Sequence, residues 1–303
     1  MPNSTEFADT PLVPVTGTLY SDKSDPRFEL ALTTAEGWGD AGLPSGVVDG
    51  SENKWVAAAH RKRGATVLRS TVGGIASQRQ QGARYASEQG ATNVLTLEPE
   101  KPGVAAFAGT IIDTLDDVDI LAIGRTEVAE NSLPVVQQRT EHLAGWILEQ
   151  TLNLPADSLA GPRGFSANGI KHLIDYPSSE PGMNNWIYMY QTMIEARHAG
   201  HVIDGIQIDM IHPRSMVEQE TGSEIFDKKR YDQFVLQLDY LLDHYNDQID
   251  PAAGDIAAKV LRMTKAVKED PAGNFVTKLS RLEDSLRENG YEIAPRSLEL
   301  KKP

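Results

Sequence analysis

Cysteine is absent from the 303-residue chain, which excludes disulfides, thiolate-held zinc and cysteine nucleophiles. Long apolar runs are missing too: no stretch approaches the roughly eighteen residues of a spanning helix, so no integral membrane segment is expected. The first thirty residues lack a basic start followed by an apolar core, and the expectation from them is a cytoplasmic protein. Positive charge is scarce. Lys and Arg number 29 against 43 Asp and Glu, for a net charge of −14, which argues against nucleic acid as a partner. A small anionic ligand then needs short-range help from helix N-termini, a few arginines or a metal ion. There is no internal repeat and no low-complexity tract.

With 40% hydrophobic and 24% charged residues the chain can bury a sizeable core. Through the first 125 residues, short runs rich in Val, Ile and Leu alternate with helical periodicity, the pattern of βαβ units and a mainly parallel sheet. Strands are expected at 11–19, 46–49, 66–69, 93–97 and 119–123, with helices at 28–38, 54–63, 75–89 and 104–115. Next come a helix over 133–152, a loop over 154–169, a helix around 185–199 and a strand within 201–211. From 225 to 289 the pattern is helical, and Asp250-Pro251 and Asp270-Pro271 divide it into three helices. The expected organisation is a domain over 1–224, with halves 1–123 and 124–224, followed by a helical extension over 225–303.

Three pieces carry chemistry. The strand at 46–49 delivers Asp49, Gly50 and Ser51 at its carboxyl end, where ligands sit in open α/β sheets; its bland reading is an ordinary turn. Gly73 and Gly74 precede a helix bearing Arg79 and Gly82. Glycines admit close backbone approach, a helix start favours anions and arginine offers a planar cation; the alternative is a tight connection with a solvated arginine. The strand at 93–97 delivers Glu98 and Glu100 around Pro99. Two carboxylates so spaced can ligate a hard divalent cation, or form a solvated acidic turn.

Taken in order, these pieces resemble family-2-like GT-A glycosyltransferases, including mannosylglycerate- and glucosylglycerate-synthase-type enzymes, over roughly residues 11 to 213. The resemblance implies a GT-A α/β fold, a doubly wound, mainly parallel sheet, here with a helical C-terminal appendage. It assigns Pro14, Thr16, Asp49, Ser51, Gly74, Arg79 and Glu98 to the donor nucleotide, and Glu98, Glu100 and His212 to Mn2+ or Mg2+. Both acids of the metal motif are Glu where the family carries Asp. The family's acidic pair aligns with Asn184-Asn185-Trp186, and amides accept no proton. Glu180 and Asp175, beside Asn185 itself, are the remaining catalytic candidates.

Arg125, Thr126, Arg163 and Ser166 are expected to grip an anionic acceptor. The implied activity is metal-dependent transfer of a sugar from a UDP- or GDP-type donor to a small acceptor, by a protein that can dimerise through its C-terminal helices. Two other readings stand beside it. One is a non-catalytic nucleotide-sugar-binding or assembly protein; the other is a sugar-phosphate nucleotidyltransferase, which typically opens on a basic glycine-rich loop that this chain lacks. His172 and His198, at helical spacing from apolar neighbours, read as structural.

Overall fold

The computed structural model describes residues 7–155, 160–180, 182–245, 247, 254–269, 275–288 and 290. Two compact units emerge, one of Met1–Pro134 with Leu154–Thr221, the other of Val135–Asn153 with Gly222–Pro303.

The first unit is built on a seven-stranded sheet. Its strands are β1 Val13–Thr18, β2 Gly46–Asp49, β3 Thr66–Arg69, β4 Asn93–Thr96, β5 Ile120–Arg125, β6 Arg163–Ser166 and β7 Ile203–Ile208. They lie in the order β3-β2-β1-β4-β6-β5-β7, and every pairing is parallel except the two made by β6. The doubly wound, mainly parallel sheet expected from the sequence is therefore present. β2, β4 and β5 are buried along their whole length, apolar in their middles with polar residues at their ends, while the edge strands β3 and β7 are partly exposed.

Helices α1 Pro26–Asp40, α2 Lys54–Lys62, α3 Ile75–Glu88 and α4 Ala108–Leu115 alternate with the first strands, and a 3-10 turn, Pro102–Phe107, leads into α4. α1 starts as its sequence dictates: Asp25 accepts from the Arg27 N–H, Pro26 opens the first turn, and Phe28, Ala31, Leu32, Ala35 and Trp38 form its buried stripe. After β5 comes the short α5, Glu127–Glu130.

One expected loop is a strand. Residues 163–166 form β6, running against its neighbours with Arg163 beside Thr96 and Ser166 beside Asn93. Gly161 and Pro162 precede only four residues of it, too few to show a period of two. α7 Ile170–Ile174, α8 Tyr188–His198 and α9 Arg214–Glu220 complete this unit. α8 starts three residues later than expected, because the side chain of Asn185 accepts the Ile187 N–H ahead of it.

The second unit contains α6 Val135–Leu152, α10 Glu224–His244, α11 Gly254–Glu269 and α12 Phe275–Glu288. The three expected C-terminal helices are there, with α6 packed on all of them, so this unit takes residues from both sides of 224. Arg139 of α6 is bidentate on Glu283 of α12, at 3.2 and 3.0 Å, and also reaches Ser280. Asp250, Pro251, Asp270 and Pro271 lie outside the described residues. Among the described residues no helix is long and apolar enough to cross a membrane.

Candidate functional site

Six parallel strands end on one edge of the sheet, and the loops after β1, β2, β3 and β4 are hydrogen-bonded into one another there. Asp49 is the knot. Its Oδ1 accepts from Thr18 Oγ1 at 3.1 Å and from the Ser51 N–H at 2.9 Å, while its Oδ2 is buried with no hydrogen-bond partner. Ser51 Oγ in turn accepts the Tyr20 N–H at 2.8 Å, and the Gly50 N–H reaches the Thr18 carbonyl. The loop after β3 joins in: the Ser70 N–H donates to the Asp49 carbonyl at 2.9 Å, and Arg69 donates to that of Ser51. Gln78 of α3 lies over the whole, donating to the Thr18 carbonyl at 3.1 Å. Cβ atoms at Gly17 and Gly50 would fall 2.7 and 2.8 Å from its side-chain amide, so a larger residue at either position would have to displace the end of Gln78.

The resemblance put the end of the first strand at Pro14 and Thr16. The structure ends β1 at Thr18, which leaves Pro14 paired with Leu95 and four residues back, roughly 13 Å at 3.3 Å per residue. Thr18 and Tyr20, which the motif did not single out, are the residues of this strand end that bond Asp49, Ser51 and Glu100. The signal was available, since apolar alternation carries the strand to residue 19, but the motif drew the assignment backwards.

The acidic turn is divided. Tyr20 donates its hydroxyl to Glu100 Oε1 at 3.0 Å, and burial raises the Glu100 pKa against that bond. Burial, reinforced by the Glu100 charge, pushes the Tyr20 phenol far above its ordinary range. Glu98 lies against the backbone of Gly161, where a Cβ would collide with its carboxylate, and its Oε2 is buried without a hydrogen-bond partner. The charges of Arg79, Glu98 and Arg163 all act on the buried Tyr188, whose pKa rises chiefly through burial.

Both of those arginines are buried. Arg79 donates to the Val15 carbonyl at 3.0 Å, tying α3 to the middle of β1, and Arg163 donates to the Pro162 carbonyl at 2.8 Å. Arg79, expected at the nucleotide, thus ties helix to sheet through one of its guanidinium nitrogens.

His212 lies after β7. It is buried, its Nε2 stands 3.4 Å from Glu220 Oε2, and its backbone N–H reaches Ser132 Oγ at 2.7 Å. Burial lowers its pKa first, the charges of Lys101 and Arg125 add to that, and Glu220 opposes them. Arg125 is buried at the end of β5, and Thr126 caps α5 by accepting the Ala129 N–H while bonding Asp209. Ser166 stands apart. Antiparallel β6 carries it to the amino edge of the sheet, where it bonds Asp119 at 3.3 Å, so it does not join the other expected acceptor residues. Asp119 also takes His201 Nδ1 at 3.1 Å, and the His172 ring packs edge-on against His201, in keeping with a structural His172.

A metal ion held by Glu98, Glu100 and His212 is tested by this geometry. Glu100 is bonded by Tyr20, His212 has Glu220 Oε2 3.4 Å from its Nε2 with neither ring nitrogen hydrogen-bonded, and among the described residues no three His, Asp or Glu side chains gather closely enough to hold a metal ion. The residues present do not form that shell.

The catalytic candidates separate as well. Asp175 and Glu180 are both exposed, and Asp175 follows Ile174, whose carbonyl accepts from Arg84 and Gln80 well down α3. Asn184 reaches the loop that opens α3, while Asn185 bonds within its own segment. Asn185 accepts the Ile187 N–H at 2.7 Å and donates to the Gly182 carbonyl; Asn184 bonds to Ser77 and Gly73 at the start of α3.

The class of fold rests on strand order and direction: a doubly wound α/β sheet whose carboxyl edge binds its own loops around Asp49. No protein-family model and no curated protein sequence matches the chain. Solved structures similar to it include a mannosyltransferase from Pyrobaculum calidifontis in complex with GDP-Man and Mn2+, at 13% identity and TM-score 0.49, covering 93% of this chain and 81% of that one. Glucosyl-3-phosphoglycerate synthase from Mycobacterium tuberculosis, in complex with Mn2+, UDP and phosphoglyceric acid, is 13% identical at TM-score 0.47, with 77% of each chain covered. 4-Diphosphocytidyl-2C-methyl-D-erythritol synthase from Anaerococcus prevotii is 9% identical at TM-score 0.45, covering 69% of this chain and 95% of that one.

Proposed function

We propose that the chain binds a nucleotide diphosphate sugar at this carboxyl edge and transfers the sugar to a small acceptor. The observation that supports the reading most is Asp49. A buried carboxylate with one oxygen doubly bonded and the other without a hydrogen-bond partner, beside Thr18, Ser51 and the glycine loop, suits the N–H groups of a nucleobase. Thr16, Gly74 and Glu98 remain in the proposed donor site, and Arg125 and Thr126 in the acceptor site. In the transfer, the acceptor oxygen bonds to the anomeric carbon as the bond from that carbon to the diphosphate oxygen breaks. With amides at 184 and 185, the departing diphosphate is the proposed recipient of the acceptor proton. Mn2+ or Mg2+ is assigned no step, because Glu98, Glu100 and His212 do not gather.

Calorimetric titration of UDP and GDP, with MnCl2 and separately with EDTA, tests the reading. One nucleotide is expected to bind, and Asp49→Asn to weaken it at least tenfold; binding of neither nucleotide to the wild-type protein sinks it. Release of nucleotide from the cognate donor then separates a transferase from a protein that only holds the sugar nucleotide, the reading that amides in place of acids at 184 and 185 favour. A cytoplasmic setting and a dimer formed by the C-terminal helices belong to the same proposal, and sedimentation tests the latter.

A further inference from the structure

α3 has no cap of its own. Its N-cap is Gly74, at φ +101°, and glycine has no side chain to satisfy the first N–H groups of a helix. The cap comes from 107 residues further along the chain. Asn184 Oδ1 accepts the Ser77 N–H at 3.1 Å, while Asn184 Nδ2 donates to Ser77 Oγ at 2.9 Å and to the Gly73 carbonyl. A Cβ on Gly74 would overlap the amide group of Asn184, so the glycine serves both the left-handed backbone and the close approach. One acceptor and two donors are in use, and among short side chains an amide supplies that set; a carboxylate has no donor to offer the Gly73 carbonyl.

The start of α3 is coupled to the nucleotide end of the site. Gln78, next to Ser77, donates to the carbonyls of Thr18 at 3.1 Å and Val48 at 3.4 Å and packs on Gly17 and Gly50. Ser70, a few residues before the helix, donates to the Asp49 carbonyl. We propose that Asn184 is a positioning residue for donor binding. It fixes the first turn of α3 and the Gly73-Gly74 loop, and through Gln78 it sets the ends of β1 and β2 around Asp49. The inference deepens the nucleotide-sugar reading and rests on it. It also gives position 184 a reason to be an amide where the resembling family has an acid.

Changing Asn184 leaves the rest of its segment docked. Gln80 Nε2 donates to the carbonyls of Ile174 and Tyr176, Ser178 donates to Gln80 Oε1 at 2.6 Å, and Arg84 donates to the Ile174 carbonyl at 3.0 Å. The test titrates UDP and GDP in the presence of MnCl2 onto wild-type protein, Asn184→Ala, Asn184→Asp and Gln80→Ala, with thermal unfolding of each unliganded protein. Both Asn184 variants are expected to bind the nucleotide at least tenfold more weakly, Asn184→Asp the more so, while Gln80→Ala lowers the unfolding temperature and keeps the affinity within about threefold. Unchanged affinity in the Asn184 variants overturns the inference. So does an equal loss in Gln80→Ala, since the effect would then follow stability alone. If Asn184→Ala does not fold, Ser77→Ala removes one of the three bonds, and a loss of about threefold is expected; no loss counts against the proposal. A wild-type protein that binds neither nucleotide overturns the nucleotide reading itself, and the inference with it.

Discussion

Asp49 and His60 are buried polar side chains of opposite behaviour. Asp49 holds Thr18 and Ser51, so Asp49→Ala strands a buried hydroxyl and a backbone N–H at an expected cost of about 1–3 kcal/mol, read as a lower denaturant midpoint in unliganded protein. His60 makes no hydrogen bond through either ring nitrogen and lies edge-on to Phe28, and its burial lowers its pKa from 6.5 to about 4 although the Asp49 charge pulls the other way. The folded protein therefore keeps His60 neutral in a range where the unfolded chain takes up a proton. Stability should be unaffected by this group above pH 6.5, fall as the pH drops from 6.5 to 4, and level off below, with a total loss of about 3 kcal/mol. His60→Leu should flatten that stretch in urea midpoints measured at pH 7, 5 and 4; an unchanged slope defeats the argument. The end of β2 at Asp49, with Gly50 and Ser51 after it, was legible in the sequence because a strand-ending acid followed by small residues is a local signal. Thr18 was not chosen, and Ser166 was misplaced, because strand length and strand direction are decided by partners far away in the chain.

α3 shows that the residues of a motif can also carry the packing of a helix. Arg79 and Gly82 stand one turn apart as the resemblance required, yet both face the sheet: Arg79 bonds the Val15 carbonyl, and Gly82 lies so close to Val15 that a Cβ there would overlap its side chain. Gly82→Ala gains helix propensity but forces α3 off β1 and β2, and a net loss of about 1–3 kcal/mol is expected from overpacking. A stabilised Gly82→Ala protein would show that the helix can shift at little cost. Elements with a strong period, such as α1 and α3, were visible from sequence to within a residue or two, and the β2 and β3 spans were read without error. β6 was invisible for the opposite reason. Its four residues have no period of their own, and they become a strand only because β4 and β5 each offer them a free side.

At the scale of the molecule the sequence suggested a boundary at 224, where the pattern turns wholly helical, and a chain cut there tests it. The spatial units do not follow that line, because α6 lies far upstream yet packs with α10, α11 and α12. The cut removes all three helices that α6 packs on within its unit, and it strips Arg139 of Glu283 and Ser280. Half-buried Arg139 is then a cation without its partner, and Leu143, Ile147 and Leu148 belong to a helix that has lost its cover. Residues 1–224 should therefore bind a hydrophobic dye and aggregate, whereas the sheet unit, which takes in Leu154–Thr221, should keep its nucleotide affinity when α10 to α12 are supplied as a separate chain that restores the cover. If residues 1–224 alone stay monomeric and bind no dye, α6 does not depend on the C-terminal helices, and the boundary read from the sequence is the physical one.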